Sequence, residues 1–88
     1  MGQPKCIYIE WYDIVVEDAG WQDIEGLEPL EAELCKSIGF LLEVTDFHVT
    51  LTPTSAPGAI NTRITIPKGV IKQVHTIKIG PQVDVLSL

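Results

Sequence analysis

Residues 37–51 read Ser37-Ile38-Gly39-Phe40-Leu41-Leu42-Glu43-Val44-Thr45-Asp46-Phe47-His48-Val49-Thr50-Leu51. Ile38, Phe40, Leu42 and Val44 alternate with Ser37, Gly39, Leu41 and Glu43. A period of two is the mark of a strand whose successive side chains point to opposite faces. Thr45-Asp46 is a tight-turn signal, and Phe47, Val49 and Leu51 then alternate with His48, Thr50 and Thr52. The stretch therefore reads as a hairpin whose first strand begins near Ala32 and runs to about Thr45. Gly39 inside that strand predicts a sharp bend, since a residue without a Cβ lets a strand coil tightly.

Upstream, Lys5 to Val16 is rich in Ile, Val, Tyr and Trp. Cys6, Tyr8, Tyr12, Ile14 and Val16 fall on one face, with Glu10 breaking the pattern; Ile7, Ile9, Trp11, Asp13 and Val15 fall on the other. Two partly apolar faces predict a strand covered on both sides. Glu17-Asp18-Ala19-Gly20 ends it. Trp21, Ile24 and Leu27 then recur every third residue, which predicts one or two helical turns. They would start near Asp18 or Gly20, stop near Gly26 and exit at Pro29.

Downstream, Pro53 to Ala59 reads as a flexible loop. Ile60 to Ile66 alternates again, Pro67-Lys68-Gly69 is a one-turn connector, and Val70 to Ile79 supplies a last strand. The apolar tail after Pro81 is short enough to stay loose or to dock on a neighbour. These pieces predict a single all-β domain over residues 1–88, with its core in 5–80 and a tail at 81–88. The expected architecture is a five-stranded small barrel with one short helix between strands 1 and 2. A barrel would remove the open edges of a flat five-stranded sheet. With 88 residues, 45% of them hydrophobic, a core is attainable but small. Stability on the order of 5 kcal/mol is then expected, and a homo-oligomer is the expected way to bury more.

The hairpin of residues 37–51 resembles the long bent hairpin of Sm-like and SH3-like barrels. Ile64-Thr65-Ile66-Pro67-Lys68-Gly69-Val70-Ile71-Lys72-Gln73-Val74 resembles the strand, single turn and strand that close them. A second resemblance is to small proteins of tailed bacteriophages. It is carried by Trp11, Asp13, Gly20-Trp21, Glu25, Ser37-x-Gly39 and Ile66-Pro67-Lys68-Gly69, and extends from about Tyr8 to Ile77. Members usually have Trp where this chain has Phe40. The resemblance implies a phage or prophage origin, hence the host cytoplasm, and brings no catalytic motif.

Charge is unevenly placed. The net charge is −6, yet eleven of the twelve acids lie between Glu10 and Asp46, and Phe47 to Val83 has none. That second stretch holds Arg63, Lys68, Lys72, Lys78 and both histidines. An acidic first half and a basic second half suit either an anion-binding face or head-to-tail association between copies.

Catalytic signals are thin. Cys6, Cys35, His48 and His75 are the only nucleophile and base candidates of the Cys-His type, with no supporting elbow or third group. Of these, Cys35 and His48 are expected on adjacent strands. Metal-ligand spacing is absent; Asp23-x-Glu25 and Glu28-x-x-Glu31 read better as a solvated acidic loop. Glu10, among Tyr8, Trp11 and Tyr12, is the one acid in apolar company, read as an edge-strand charge or a partner for a base. Pro57-Gly58 alone makes no phosphate-cradling loop. No enzyme activity, metal or cofactor is expected.

The aromatic cluster Trp11, Tyr12 and Trp21 is the stronger lead, because exposed rings stack on bases or anchor partners. Arg63, Lys68 and Lys72 would meet phosphate. The plainer reading has Trp21 capping the barrel end with Trp11 beneath it. Apolar runs such as Phe40-Leu41-Leu42 fall far short of the roughly 20 residues that span a bilayer. Met1 to Pro4 lack a signal-peptide pattern, and two cysteines make no disulfide framework; together these predict a reducing cytoplasm. The expectation is a non-enzymatic, phage-encoded binding protein, in its concrete form a homo-oligomeric sponge for a nucleotide signal of host antiviral defence. The alternatives are an Sm-like binder of single-stranded nucleic acid, which the net charge opposes, and a protein-interaction or virion-assembly adaptor.

Overall fold

The computed structural model describes residues 5–88; the reading of Met1 to Pro4 lies outside them. Seven strands follow in order: β1 (Cys6–Asp13), β2 (Glu33–Val44), β3 (His48–Thr52), β4 (Thr54–Ala56), β5 (Ala59–Asn61), β6 (Ile64–Pro67) and β7 (Ile71–Ile77). A one-turn 3-10 helix, Lys68–Val70, joins β6 to β7, and a second covers Val85–Ser87 in the tail. The all-β expectation holds.

Five strands form one antiparallel sheet in the order β6-β3-β2-β1-β7, and β4 and β5 form a separate two-stranded ribbon. The barrel expectation is corrected here. β6 and β7 are the two edges and do not pair, so the sheet does not close. They are nonetheless consecutive in the chain and separated only by Lys68–Val70, which bends the sheet around its core. Val70 and Ile71 pack on that core.

Side chains opposite one another across an antiparallel pair share a face. Ile7, Ile9 and Trp11 stand beside Gly39, Ser37 and Cys35 on one face; Cys6, Tyr8, Glu10 and Tyr12 stand beside Phe40, Ile38, Lys36 and Leu34 on the other. The first face is the core side, where Ile7, Ile9, Val49, Leu51 and Ile66 are buried. Trp11 and Leu41 pack against them. The second face stays open, with Ile38 60% exposed. On that face of β1, Glu10 is buried, Cys6 and Tyr8 are half-buried and Tyr12 is exposed, so β1 is covered fully on one side and partly on the other. Gly39 is required by proximity. A Cβ there would lie 2.7 Å from the Thr52 backbone oxygen on β3.

Four local expectations change. No helix forms between β1 and β2. Residues 14–32 are an exposed arm containing only bends and a turn, with Gly20 and Gly26 at positive φ. β1 ends at Asp13 rather than Val16, because Ile14 and Val16 have nothing to pair with and stand about 80% exposed. Pro53 to Ala59 is not simply loop, since Pro57-Gly58 is the turn of the β4–β5 ribbon. The predicted strand at Ile60 to Ile66 is broken at Thr62, whose φ of 68° lies in the left-handed region. The Thr52 hydroxyl donates to the Thr62 carbonyl at 2.7 Å, and the Thr54 amide donates to that hydroxyl at 3.3 Å. This fully buried side chain anchors the ribbon to the end of β3.

Candidate functional site

Trp11 and Tyr12 are neighbours on β1 and therefore project to opposite faces. Trp11 is half-buried against the core, and its indole Nε1 donates to the Ser37 hydroxyl at 3.0 Å. Tyr12 is 41% exposed on the open face beside Leu34. Trp21 sits on the arm with its full surface in solvent, so it caps nothing within its own chain. Of the three rings, Tyr12 and Trp21 are the accessible ones.

The cations lie toward the sheet edges. Arg63 precedes β6, Lys68 opens the 3-10 turn and Lys72 is on β7, all three exposed. The Lys68 amide donates to the Phe47 carbonyl at 2.8 Å, which fixes the turn over the β2–β3 connection. None of the three joins an ion pair among the described residues; the one such pair is His48 with Glu43, at 3.2 Å. No hydrogen bond among the described residues links one of the six candidate residues to another.

No protein-family model, curated protein or solved structure matches this chain.

The catalytic candidates are kept apart. Cys35 is opposite Trp11, whereas His48 follows the far end of β2, where Val44 pairs with Val49. Nine strand steps separate Cys35 from Val44, roughly 30 Å. The Cys35 thiol instead approaches the Glu33 carbonyl at 3.8 Å. Among the described residues, no three His, Cys, Asp or Glu side chains are grouped to hold a metal ion, and no helix is long and apolar enough to cross a membrane.

One cluster escaped the sequence reading. Glu10 is on a central strand and buried, not at an edge, and its carboxylate accepts from the Gln73 amide. Gln73 in turn contacts the His75 Nε2 through its carbonyl oxygen at 3.0 Å, and the His75 ring lies 6.0 Å from that of Tyr8. The β1–β7 register brings these residues together, pairing Glu10 with Gln73 and Tyr8 with His75. No local signal in the sequence could reveal a contact between segments so far apart. The chain satisfies the buried carboxylate with a neutral amide, which makes it a structural hydrogen bond between strands.

Proposed function

We propose that this chain is a non-enzymatic, phage-encoded binding protein of the host cytoplasm that works as a homo-oligomer and takes a small anionic ligand. In its most specific form the ligand is a nucleotide signal of host antiviral defence, held away from its receptor. The observation that carries this reading is the set of three exposed cations, Arg63, Lys68 and Lys72, on a stretch free of acids and without ion pairs among the described residues. Guanidinium and ammonium groups left unpaired beside a rigid sheet are suited to phosphate oxygens. Trp21, fully exposed, supplies a ring for a base to stack on, and reaches the cations from an adjacent copy. The strand order and the one-turn link between β6 and β7 favour an opened relative of the SH3-like and Sm-like barrels as the scaffold.

The test is mass spectrometry of nucleotides released from the purified protein, followed by titration calorimetry with each one found. Arg63→Ala, Lys68→Ala and Lys72→Ala together should weaken binding at least tenfold, and added salt should weaken it further. A protein that carries no nucleotide and shows no thermal shift with a nucleotide panel would overturn the reading.

The adaptor alternative is favoured by a different observation, the number of large apolar side chains left in solvent, among them Ile14, Ile24, Phe47, Leu86 and Leu88 at more than 80% exposure. Binding of single-stranded nucleic acid has less support, because the arm's six carboxylates lie on the same small molecule.

A further inference from the structure

A compact protein of 9.7 kDa exposes about 5,100 Å², whereas this chain exposes 7718 Å². Its radius of gyration is 18.2 Å, against about 12 Å for a compact chain of this length. The excess is roughly 2,600 Å² per chain, or about 5,200 Å² for a pair, at the upper end of what obligate homodimers bury. The arm of residues 14–32, exposed along its whole length, contributes to it.

The arm has two sides by composition. Ile24, Leu27 and Leu30 follow Trp21 at every third residue, all more than half exposed, and Trp21 itself is left to the ligand. Asp23, Glu25, Glu28 and Glu31 fall between them, and the arm contains no Lys or Arg. Large apolar side chains interleaved with carboxylates give this irregular segment apolar surface to bury and charge that keeps it in water. Nothing in its own chain receives it, because every residue from Ile14 to Ala32 is exposed.

The receiving surface is present on the same molecule. The open face of β1 and β2 carries Tyr8, Tyr12, Leu34, Ile38 and Phe40, with Lys36 as its cation; the Glu10 carboxylate opposite Lys36 is buried and bonded to Gln73. From Leu34 to Phe40 this face is about 20 Å long, and Ile24 to Leu30 spans at most about 20 Å. The two lengths are compatible, and Lys36 gives the acidic arm a complementary charge. Arg63, Lys68 and Lys72 lie toward the edges and stay free.

We infer that the arm of residues 14–32 seats across the open β1–β2 face of a second copy, so that two chains cover each other reciprocally. This rests on the homo-oligomer of the proposed function but not on its ligand. The apolar area on both sides drives the contact, and the carboxylates keep the separated arm in solution.

Light scattering of the full-length protein without nucleotide should give at least twice 9.7 kDa. Ile24→Asp on the arm and Ile38→Asp on the face should each halve the mass. Both positions are exposed within one chain, so circular dichroism should keep its strand signal. Leu27→p-benzoylphenylalanine, irradiated in a mixture of 14N and 15N chains, should cross-link to peptides of residues 33–44 in mixed-isotope pairs. A monomeric wild type, a multimer indifferent to either Asp variant, or cross-links to any other surface would overturn the inference. Same-isotope products alone would mean that the arm folds back on its own chain, and would overturn it equally. The triple Arg63, Lys68 and Lys72 variant should keep the wild-type mass, so a failed ligand reading and a failed assembly give different results.

Discussion

The α-carbon of Gly39 passes so close to Thr52 that a methyl group on it would meet the Thr52 backbone oxygen at 2.7 Å. Backbone oxygen cannot step aside as a flexible side chain can. β2 and β3 pair side by side up to Phe40 and Thr52, the backbone at the end of β3 closes over Gly39, and the core side chain Leu51 lies just beside it.

Gly39→Ala is therefore expected to cost about 1–3 kcal/mol, the usual penalty of overpacking a filled site. Gly69→Ala is its control, since a Cβ at Gly69 meets nothing within 4 Å; it should stay within about 0.5 kcal/mol of wild type. Urea denaturation of the two variants measures the difference, and equal midpoints would contradict the close approach.

Thr52→Val keeps the shape and removes the hydroxyl. The Thr62 carbonyl then loses its donor inside a region where Thr52 is fully buried. A loss of about 1–3 kcal/mol is expected. Hydrogen exchange should report faster exchange at the Thr54 amide, which donates to the same oxygen. Unchanged protection there would mean that the ribbon is held by something else.

Ile9 has no exposed surface and belongs to a buried apolar cluster of only five side chains. Ile9→Ala should cost about 2–5 kcal/mol, comparable with the whole stability of a small domain. The expected outcome is a chain largely unfolded at room temperature, seen as loss of the strand signal in circular dichroism. A cooperative melt close to that of wild type would show that Ile9 is not central to the core.

The two cysteines should not pair. Cys6 is opposite Phe40 on the open face, while Cys35 is opposite Trp11 on the core face. Five strand steps separate the two register positions, about 17 Å, and a disulfide needs α-carbons within about 7 Å. A mild oxidant should leave the monomer band at the same position on reducing and non-reducing gels. A faster-migrating oxidised monomer would refute the register of β1 against β2.

Strands with alternating side chains were legible in the sequence. β2, β3 and β7 fall within two residues of their expected limits, because the period-two pattern of residue types runs the length of each. The helix between strands 1 and 2 was misread because the same spacing of three serves an exposed segment equally well. One isolated helical turn is unstable without a surface to pack on, and Gly20, Gly26 and Pro29 weaken it further. Sheet closure was not legible at all, since hydrogen bonding between two edge strands leaves no trace in either strand's own residues. Among the site candidates, exposure of Arg63, Lys68 and Lys72 followed from their charge. The division of Trp11 from Tyr12 between two faces was implicit in their adjacency. The solvent-filled surroundings of Trp21 depended on the missing helix and were out of reach.

The sheet order also sets a timetable. β1 lies between β2 and β7, pairing Tyr8 with Ile38 on one side and with His75, near the opposite end of the chain, on the other. During synthesis β1 leaves the ribosome ahead of β2, yet its second neighbour, β7, follows only after four further strands. Until β7 arrives, one edge of this interior strand stays open while an unpaired arm already trails beside it. Such a chain is most vulnerable to wrong partners as it is being made, and late long-range pairing makes its folding slow.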